Sequence, residues 1–537
     1  MSEEDGAAPA AHGIFSPRLL PLLLALAILL AYALSLRGGF LNYDDDWLTR
    51  DNPVFGQPGA LRTVWTDLSA ESRHQLGAEY LPVRDTLVWL ELGLFGPSAF
   101  ALRAVSLLLY IGAALLLRAY LHRAIADRAV AETSAWLFAL HPVHAESVAW
   151  LAGQKDLVAL LLVAAALLVY ARGRQLWAVP LLLLVAMFGK AVAVAAPLLL
   201  LLHDFLLSRR PRWPIVGASL AATVLALLVH LRVGRVVGMM ATFPGGSRAT
   251  ALTTMGPVWL RYLAESFVPV GLSVHHDVPT RAASDPLAWL AYLVLLLLAV
   301  AALWAARRGQ RLWLWALGWF ALPLLPTSQV LAPLQNLMAD RYLLLAVLGP
   351  CVVVAALAAR APRPVAAGLA LLAAALTFGR ALAFSDSVSL WEDATARSPR
   401  WGQGWYQLGM ALREGHPTDA EAAFRRALAV EPAAESGRRA GNNLSALLAG
   451  QGRLPEAQAV LRATVERFPD DPRALNNLAE ITARLGQEVE ARRLYDRLVT
   501  RFPDYAPGVR NYRLRYGDFT SPAPPDSPPS PGPPPAR

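Results

Sequence analysis

The sequence predicts an all-α fold in two parts, a membrane domain with many spans and a helical repeat domain that follows it. Of the 537 residues, 55% are apolar and only 17% are charged, and the mean hydropathy is +0.39. A soluble globular chain carries about 25% charged residues. Long apolar runs recur over 19–384, whereas the segment after 398 has Ala, Leu, Arg and Glu at helical spacing. We therefore expect the first part to lie in a membrane.

The membrane domain, 19–384, is predicted to cross the bilayer about eleven times. About 20 apolar residues span a bilayer, and shorter runs do so within a bundle or where the membrane thins. The first run is expected to be a retained span, because the segment 1–18 is acidic and no small-residue cleavage site follows the run. The predicted spans cover 19–37, 99–119, 130–148, 156–171, 175–189, 191–207, 213–233, 286–305, 311–326, 342–360 and 363–384.

Basic residues predict the orientation of these spans in a plasma (inner) membrane. By the positive-inside rule, the short arginine-rich loops are expected in the cytoplasm: 121–129, 172–174, 208–212, 306–311 and 360–363. The long loops are then extracytoplasmic, as is the repeat domain: 38–98, 149–155, 234–285 and 327–341. Many of the basic residues behind the net charge of +9 lie in the short loops, so we expect no nucleic-acid partner.

The repeat domain is predicted over 398–510. A period of 34 residues, with a small residue at the helix contact and Pro closing each unit, is the tetratricopeptide signature. A looser earlier unit begins near Trp405, which gives about three units, the minimum for a stable solenoid. The Pro- and Ser-rich tail 520–537 is expected to be disordered. The positions that recur are Leu444, Gly452, Ala457, Leu461 and Pro469, followed by Leu478, Gly486, Ala491, Tyr495 and Pro503.

An acidic triplet, Asp44 to Asp46, follows the first predicted span directly. The plain interpretation is a solvated acidic turn. The alternative is a catalytic carboxylate at the membrane surface, since the flanking Tyr43 and Trp47 would anchor the triplet at headgroup depth. A carboxylate there can act as general base toward an acceptor hydroxyl.

Two basic residues are candidates for binding a lipid phosphate. Arg341 opens the tenth predicted span from outside, next to Asp340. Its guanidinium could simply reach the membrane interface, or it could bind a phosphate through paired hydrogen bonds. Lys190 lies between two predicted spans and is the second candidate.

Further polar residues gather at the outer end of the third predicted span. His141, His144 and Glu146 fall within six positions, and Lys155 and Asp156 follow before the next span. They are expected to support the site; their spacing does not match a standard zinc motif, so the metal requirement is left unknown. A later polar run is expected to be loop surface: His275, His276 and Asp277.

Together these motifs resemble the transmembrane and tetratricopeptide-repeat-containing O-mannosyltransferases and their bacterial relatives, over about 18–510. The resemblance implies a GT-C superfamily glycosyltransferase that takes a sugar, mannose or a similar hexose, from a polyprenyl-phosphate donor on the extracytoplasmic side. The motifs are Asn42-Tyr43-Asp44-Asp45, the stretch from His141 to Trp150 continuing to Lys155-Asp156, Gly189-Lys190-Ala191, and Pro326-Thr327-Ser328 with Ala339-Asp340-Arg341-Tyr342.

The resemblance also implies roles for particular residues. An aspartate of the first outer loop, Asp44 or Asp45, would serve as general base or bind a divalent cation beside the donor phosphate. Arg84 joins the donor-phosphate set, although it is displaced within Tyr80-Leu81-Pro82-Val83-Arg84 from the family's Tyr-x-Arg-Pro pattern. Ala191 stands where family members tend to have an acidic residue, which leaves donor identity open.

Three functions follow as hypotheses. The leading one is transfer to Ser or Thr hydroxyls of extracytoplasmic proteins, with the repeat domain holding the protein acceptor and the donor arriving from the membrane lipid. The second keeps the fold and donor but glycosylates lipid A or an envelope glycan. The third is a non-enzymatic membrane scaffold, against which eleven spans with polar motifs at three outer ends argue.

Overall fold

The computed structural model describes residues 18–238, 241–330, 332–362 and 364–517, and all regular structure within them is helical. The predicted all-α fold is confirmed in this part of the chain. The chain divides into two compact units, Met1–Arg397, here the membrane unit, and Ser398–Arg537, here the repeat unit. The segment 1–18, expected to be a cytoplasmic N-terminus, lies outside the described residues except for Arg18, and the predicted disordered tail 520–537 lies wholly outside them.

The membrane unit is built from helices of very different lengths, joined by short 3₁₀ turns. Its helices are α1 Leu20–Tyr32, α2 Ala60–Thr66, α3 Ala70–Gln75, α4 Pro82–Phe95, α5 Ala99–Ala124, α6 Arg128–Ala139, α7 Ala145–Ala149, α8 Gln154–Arg172, α9 Ala178–Gly189, α10 Ala196–Leu206, α11 Trp213–Val236, α12 Arg248–Phe267, α13 Pro286–Arg307, α14 Arg311–Leu324, α15 Leu343–Ala346, α16 Leu348–Ala358, α17 Pro364–Leu382 and α18 Ser387–Arg397.

Five helices of the described residues are long and apolar enough to cross a membrane, and a bent pair, Asp340–Ala346 with Leu348–Ala358, makes a sixth if it forms one span. The expected count of about eleven is therefore not confirmed. Shorter apolar helices account for part of the difference: Leu20–Tyr32, Ala178–Gly189 and Ala191–Leu206. The five long ones are Ala99–Ala124, Leu151–Arg172, Trp213–Val236, Pro286–Arg307 and Pro364–Leu382.

Burial distinguishes a central helix from a peripheral one. Within Leu151–Arg172, which contains α8, 72% of the apolar 18-residue stretch is buried, and α8 packs against α5 and α9. In α13, only 11% of the corresponding stretch is buried, although its mean hydropathy of 2.5 exceeds the value of 1.8 for Leu151–Arg172. An apolar surface of that size is a liability in water, so α13 fits a lipid-facing position.

Arg103 on α5 fixes the entry and exit of the first loop to the rest of the membrane unit. The guanidinium is buried and donates to the carbonyls of Ser35 (3.1 Å), Gly39 (2.7 Å), Ala149 (2.6 Å) and Phe384 (3.4 Å). Buried polar groups are retained when they are hydrogen-bonded, and one guanidinium here satisfies four main-chain acceptors. Segments far apart in sequence are thereby held around one side chain.

Glu91 on α4 provides a pH test of the first loop. Its side chain is buried, its Oε1 accepts from Gln154 Nε2 (2.7 Å), and its Oε2 has no partner among the described residues. Burial raises the pKa of Glu91 to about 7. The fold thus favours the neutral acid, and the stability that Glu91 contributes is lost as pH rises from the ordinary pKa toward 7.

Glu91→Gln mimics the neutral acid, so we expect it to raise the melting temperature at pH 8 and to leave it unchanged at pH 5. A rise in pKa from 4.5 to about 7 corresponds to a free energy of about 3 kcal/mol. Thermal unfolding of the two proteins in the same detergent across this pH range measures the difference. A difference that is the same at pH 5 and pH 8 would contradict this account.

The repeat unit contains three helix pairs and a final helix: α19 Gly402–Leu412, α20 Pro417–Val430, α21 Glu435–Gly450, α22 Leu454–Arg467, α23 Pro472–Arg484, α24 Glu488–Arg501 and α25 Ala506–Tyr516. Gly452 and Gly486 have φ of +78° and +76° in the turns after α21 and α23, a left-handed conformation that glycine adopts readily. Ala457 and Ala491 are fully buried at the helix contacts. The repeating glycine and alanine therefore have the expected structural roles.

Candidate functional site

Asp45 is a buried part of the first loop. It is fully inaccessible, its Oδ2 accepts from the main-chain N–H of Leu41 (3.0 Å), and its Oδ1 accepts from that of Ala152 (3.1 Å). Burial raises the pKa of Asp45 to about 7, against the opposing effect of these bonds and of Arg103. Oδ2 thus closes a turn within the first loop and Oδ1 ties the loop to the turn before α8, so Asp45 is placed to position the loop.

Asp44 is the more accessible carboxylate of the pair. Its φ is +68°, a left-handed conformation that Asp adopts more readily than most residues. The side chain is half-buried, and Oδ1 accepts from the Trp47 indole N–H (3.0 Å). Asp46 instead forms an exposed ion pair with Arg50 (2.8 Å). Of the triplet, Asp44 is therefore best placed to meet an incoming hydroxyl.

An aromatic group holds the residues before Asp44. The Tyr43 ring stacks on Trp150, with ring centroids 4.4 Å apart and 19° between the planes, and Trp391 meets Tyr43 edge-on at 5.3 Å. The indole of Trp150 donates to the carbonyl of Tyr43, and that of Trp391 donates to Oδ1 of Asn42. The loop is thereby fixed between α7 and α18.

Arg341 reaches the same aromatic group from the turn before α15. Its guanidinium donates to Glu146 Oε1 (2.6 Å), and its main-chain N–H donates to Oε2 (3.1 Å). It lies 5.9 Å from the Trp150 ring centroid and within electrostatic range of the Tyr43 side chain. The Glu146 side chain is 1% exposed and that of Arg341 is 11% exposed. Arg341 thus lies near the residue that precedes Asp44.

Two lysines converge on one carboxylate. Glu79 accepts from Lys155 Nζ (2.7 Å) and Lys190 Nζ (3.3 Å). Burial raises the pKa of Glu79, but the two ammonium groups outweigh it and hold the pKa well below its usual range. Lys190 also lies within electrostatic range of Asp156 and Arg341. Lys155, Lys190 and Arg341, the cation trio, therefore share one region of the protein.

A small cleft of about 40 Å³ lies beside Arg341, one member of the cation trio. Arg341, Tyr342 and Asp156 line one part of it. The Oδ2 atom of Asp156 is buried and has no partner among the described residues. The rest of the lining is apolar: Ala159, Leu160, Val163, Val192, Ala193, Ala196, Pro323, Leu344 and Leu345. The cleft therefore has both polar and apolar lining residues.

Arg84 does not join the cation trio. It is 2% exposed, pairs with Asp85 (2.7 Å) and donates to the carbonyl of Leu76 (3.2 Å). Burial raises the pKa of Asp85 to about 6, and Arg84 is the first of the cations that oppose the rise. The guanidinium of Arg84 therefore donates to groups of the first loop and stabilises that loop. For this reason we do not include Arg84 among the proposed phosphate ligands.

The two histidines of the His-Pro-Val-His stretch are buried and bonded within the protein. His144 bridges the Tyr110 hydroxyl (2.6 Å) and the carbonyl of Leu344 (3.0 Å). His141 Nε2 donates to the carbonyl of Ser266 (3.2 Å). They hold the segment that carries Glu146 against α12 and α15.

His276 was missed, because the expectation that it is loop surface is wrong. It is 6% exposed and donates from Nε2 to Asp340 Oδ1 (2.6 Å), while Nδ1 accepts from Arg261 (2.8 Å). Nothing in the local sequence distinguishes it from the neighbouring His275, because its partners lie 15 and 64 positions away. His276, in the loop between α12 and α13, thus fixes Asp340, while the neighbouring Arg341 pairs with Glu146.

Glu265, His276 and Asp340 are the one group of three metal-type ligands found among the described residues, with ligand atoms within 4.8 Å of one another. These are ligand types that metals use, but here the three side chains are linked by hydrogen bonds through Arg261 and His276. Arg261 donates to His276 Nδ1 and also to Glu265 Oε1 (2.9 Å), so the proton of the imidazole is on Nε2. In this arrangement the Nδ1 lone pair accepts from Arg261, and Nε2 donates its proton to Asp340. We therefore interpret the group as an ion-pair network.

Comparisons with known proteins match two parts of this organisation. Tetratricopeptide repeat family models match residues 411–474 and 443–506, which confirms the predicted repeats. Human protein O-mannosyl-transferase TMTC1 is 34% identical over 158 residues, which are 28% of this chain and 18% of the human protein. The mouse protein of the same name is 34% identical over 157 residues, which are 28% of this chain and 16% of the mouse protein.

The chain thus matches less than a fifth of the length of these curated relatives, at 18% and 16%. Within that limit, the resemblance to repeat-containing O-mannosyltransferases is confirmed for the aligned part of the chain. The apolar helices and the repeats agree with it.

Proposed function

We propose that this protein is a membrane glycosyltransferase that moves a hexose, mannose or a similar sugar, from a polyprenyl phosphate to Ser or Thr hydroxyls of extracytoplasmic proteins. The observation that carries the proposal is the connection of Asp44 to the cation trio. Tyr43, next to Asp44, stacks on Trp150, and Arg341 lies 5.9 Å from the same Trp150 ring centroid and within electrostatic range of Tyr43. A candidate base and a candidate phosphate site are therefore joined by one short path.

In the proposed reaction, Asp44 acts on the acceptor hydroxyl and the cation trio acts on the donor phosphate. The acceptor hydroxyl oxygen attacks the anomeric carbon of the sugar, the bond from that carbon to the phosphate oxygen breaks, and the phosphate leaves with the electron pair. Asp44 takes the proton of the hydroxyl. Lys155, Lys190 and Arg341 stabilise the negative charge that grows on the phosphate, since fixed charges act strongly where water is excluded.

The cleft supports a lipid-linked donor. Its lining includes Arg341 and Asp156 as well as apolar side chains, the two kinds of surface that a phosphate and the hydrocarbon next to it would meet. In the structure, carboxylates of the protein pair with all three cations. Glu79 pairs with Lys155 and Lys190, and Glu146 pairs with Arg341. A donor phosphate would compete with Glu79 in particular, because the Glu79 side chain is 34% exposed whereas that of Glu146 is 1% exposed.

The repeat domain supports a protein acceptor. Tetratricopeptide arrays present extended binding surfaces, and a bound substrate has a raised local concentration at the catalytic site. We place this domain and the first loop on the extracytoplasmic side, as the arginine-rich loops predict. Glycoproteomic comparison of envelope proteins with and without the chain tests acceptor class. Loss of hexose from an envelope glycan, with protein glycosylation unchanged, would favour the alternative acceptor.

Glu79→Gln tests the competition at the lysines. Removing the carboxylate frees Lys155 and Lys190, so we expect the apparent KM for the polyprenyl-phosphate donor to fall several-fold while kcat changes little. Initial rates at varied donor concentration measure both constants. Glu71→Gln, an exposed position of the same loop, serves as the control. A higher donor KM in Glu79→Gln, with unchanged thermal stability, would show that Glu79 assists the donor.

A further inference from the structure

One end of the membrane unit carries a group of arginines, here the arginine patch, on three connections between helices. The three connections are α8–α9, α10–α11 and α13–α14. Arg212 in the second connection donates to the carbonyl of Tyr170 at the end of α8 (2.6 Å), which links the second connection to the first. Arg311, at the start of α14, donates to the carbonyl of Phe205 on α10 (3.0 Å), which links the third connection to the second. The patch comprises Arg172, Arg174, Arg209, Arg210, Arg212, Arg307, Arg308 and Arg311.

None of the eight arginines in the patch forms an ion pair with a carboxylate among the residues that the structure describes. Six of them are exposed, and Arg212 and Arg311 are half-buried. The repeat unit differs, because many of its arginines have carboxylate partners there: Arg425, Arg438, Arg439, Arg453, Arg462, Arg501 and Arg515. Unneutralised charge is therefore concentrated at this end of the membrane unit.

The acidic residue within these connections is turned inward. Asp204 is fully buried, and its Oδ2 accepts from the Tyr170 hydroxyl and from the main-chain N–H of Arg212 (3.3 Å). It thus fixes the loop that carries Arg209 and Arg210 without offering them a carboxylate at the surface. The arrangement leaves the guanidinium groups available to an external anion.

Exposed tryptophans flank the patch. Trp177, Trp213 and Trp304 are 69%, 63% and 56% exposed, and the guanidinium of Arg308 lies 3.8 Å from the centre of the Trp304 ring. Tryptophan is enriched at the headgroup level of membranes, where its ring meets both lipid and water. Guanidinium groups at that level bind phosphate through paired hydrogen bonds.

We propose that the arginine patch binds the phosphate groups of anionic phospholipids in the adjacent leaflet. Anionic leaflets attract clusters of basic residues next to a membrane span, and each residue near the surface adds to the binding. The tryptophans set the depth of the patch, and the inward Asp204 keeps it free of competing charge. The inference rests on the membrane unit alone and stands whether or not the protein transfers a sugar.

The test uses the full chain in nanodiscs of phosphatidylcholine mixed with phosphatidylglycerol, with retained lipids counted by native mass spectrometry. The wild type is expected to retain phosphatidylglycerol in preference to phosphatidylcholine. In the variant Arg174→Gln/Arg209→Gln/Arg210→Gln, that preference should fall by at least about tenfold. The control variant replaces three exposed arginines of the repeat unit, Arg473, Arg484 and Arg497, by Gln and should keep the preference.

Three outcomes would overturn the proposal. The wild type could show no preference, the patch variant could keep the preference of the wild type, or the control variant could lose it equally. A further arm adds inorganic phosphate at constant ionic strength, and we expect the preference to survive. Its removal by inorganic phosphate would show a site for free phosphate rather than for a lipid headgroup.

Discussion

Asp44→Asn is expected to lower sugar transfer by about 10²–10⁴-fold, the usual contribution of a general base, while the protein stays folded. The amide cannot take the proton of the acceptor hydroxyl at neutral pH. It can still accept from the Trp47 indole, and Asn tolerates the left-handed backbone at this position, where φ is +68°. Initial transfer rates and melting temperatures of the purified variant measure the two effects separately.

The neighbouring aspartates are the controls for this prediction. Asp46→Asn should leave transfer nearly unchanged, because Asp46 forms an exposed ion pair with Arg50. Asp45→Asn should instead lower the melting temperature, because both Asp45 oxygens accept main-chain N–H groups and an amide NH₂ cannot replace one of them. Normal transfer in Asp44→Asn together with loss in a stably folded Asp45→Asn would assign the base to Asp45.

Arg341→Gln is the second large effect that we expect. It leaves the buried Glu146 carboxylate without its cation, and breaking a buried pair in this way costs about 3–5 kcal/mol. It also removes one member of the cation trio, so use of the donor should fall along with stability. Donor KM and melting temperature together report this variant.

Stability and donor binding can be separated at this pair. The double variant Arg341→Gln/Glu146→Gln removes the buried charge as well, so we expect its melting temperature to return toward that of the wild type. Transfer should stay low, because the phosphate still lacks the guanidinium. Recovery of transfer in the double variant would reduce Arg341 to a brace for Glu146.

The repeats could be predicted from sequence because their contacts are local. Each unit of 34 residues packs against the next, so Gly452 and Gly486, or Ala457 and Ala491, recur with the helices that need them. The membrane spans were harder, because apolar composition does not show where a helix breaks. α9 ends at Gly189, and Lys190 has an extended backbone before the chain turns into α10.

The site was predictable in outline but not in its division of roles. The motifs located Asp44, Asp45, Lys190 and Arg341, whereas the distinction between the two aspartates depends on the main chain of Ala152, which is 107 positions away. The same holds for Arg103, whose four carbonyl partners lie 46 to 281 positions away. Such contacts carry no periodicity and no local motif.

The proposed donor site also includes charges that no short motif contains. Glu79 lies in the first loop, and its lysine partners follow 76 and 111 positions later. The sequence placed Lys155 among supporting residues and Lys190 among phosphate ligands, and Glu79 was not singled out. The structure brings all three together, which is why we treat the lysines and Arg341 as one cation trio.

The most direct test of the proposed function is transfer by the purified full chain in vitro. The chain is reconstituted in liposomes with a polyprenyl-phosphate hexose and a Ser/Thr-rich acceptor protein, and intact-protein mass spectrometry follows the addition of hexose. We predict hexose on the acceptor with the wild type, and a loss of about 10²–10⁴-fold with Asp44→Asn. Equal hexose addition by the two proteins, or none by a folded wild type with mannose or related hexose donors, would contradict the account.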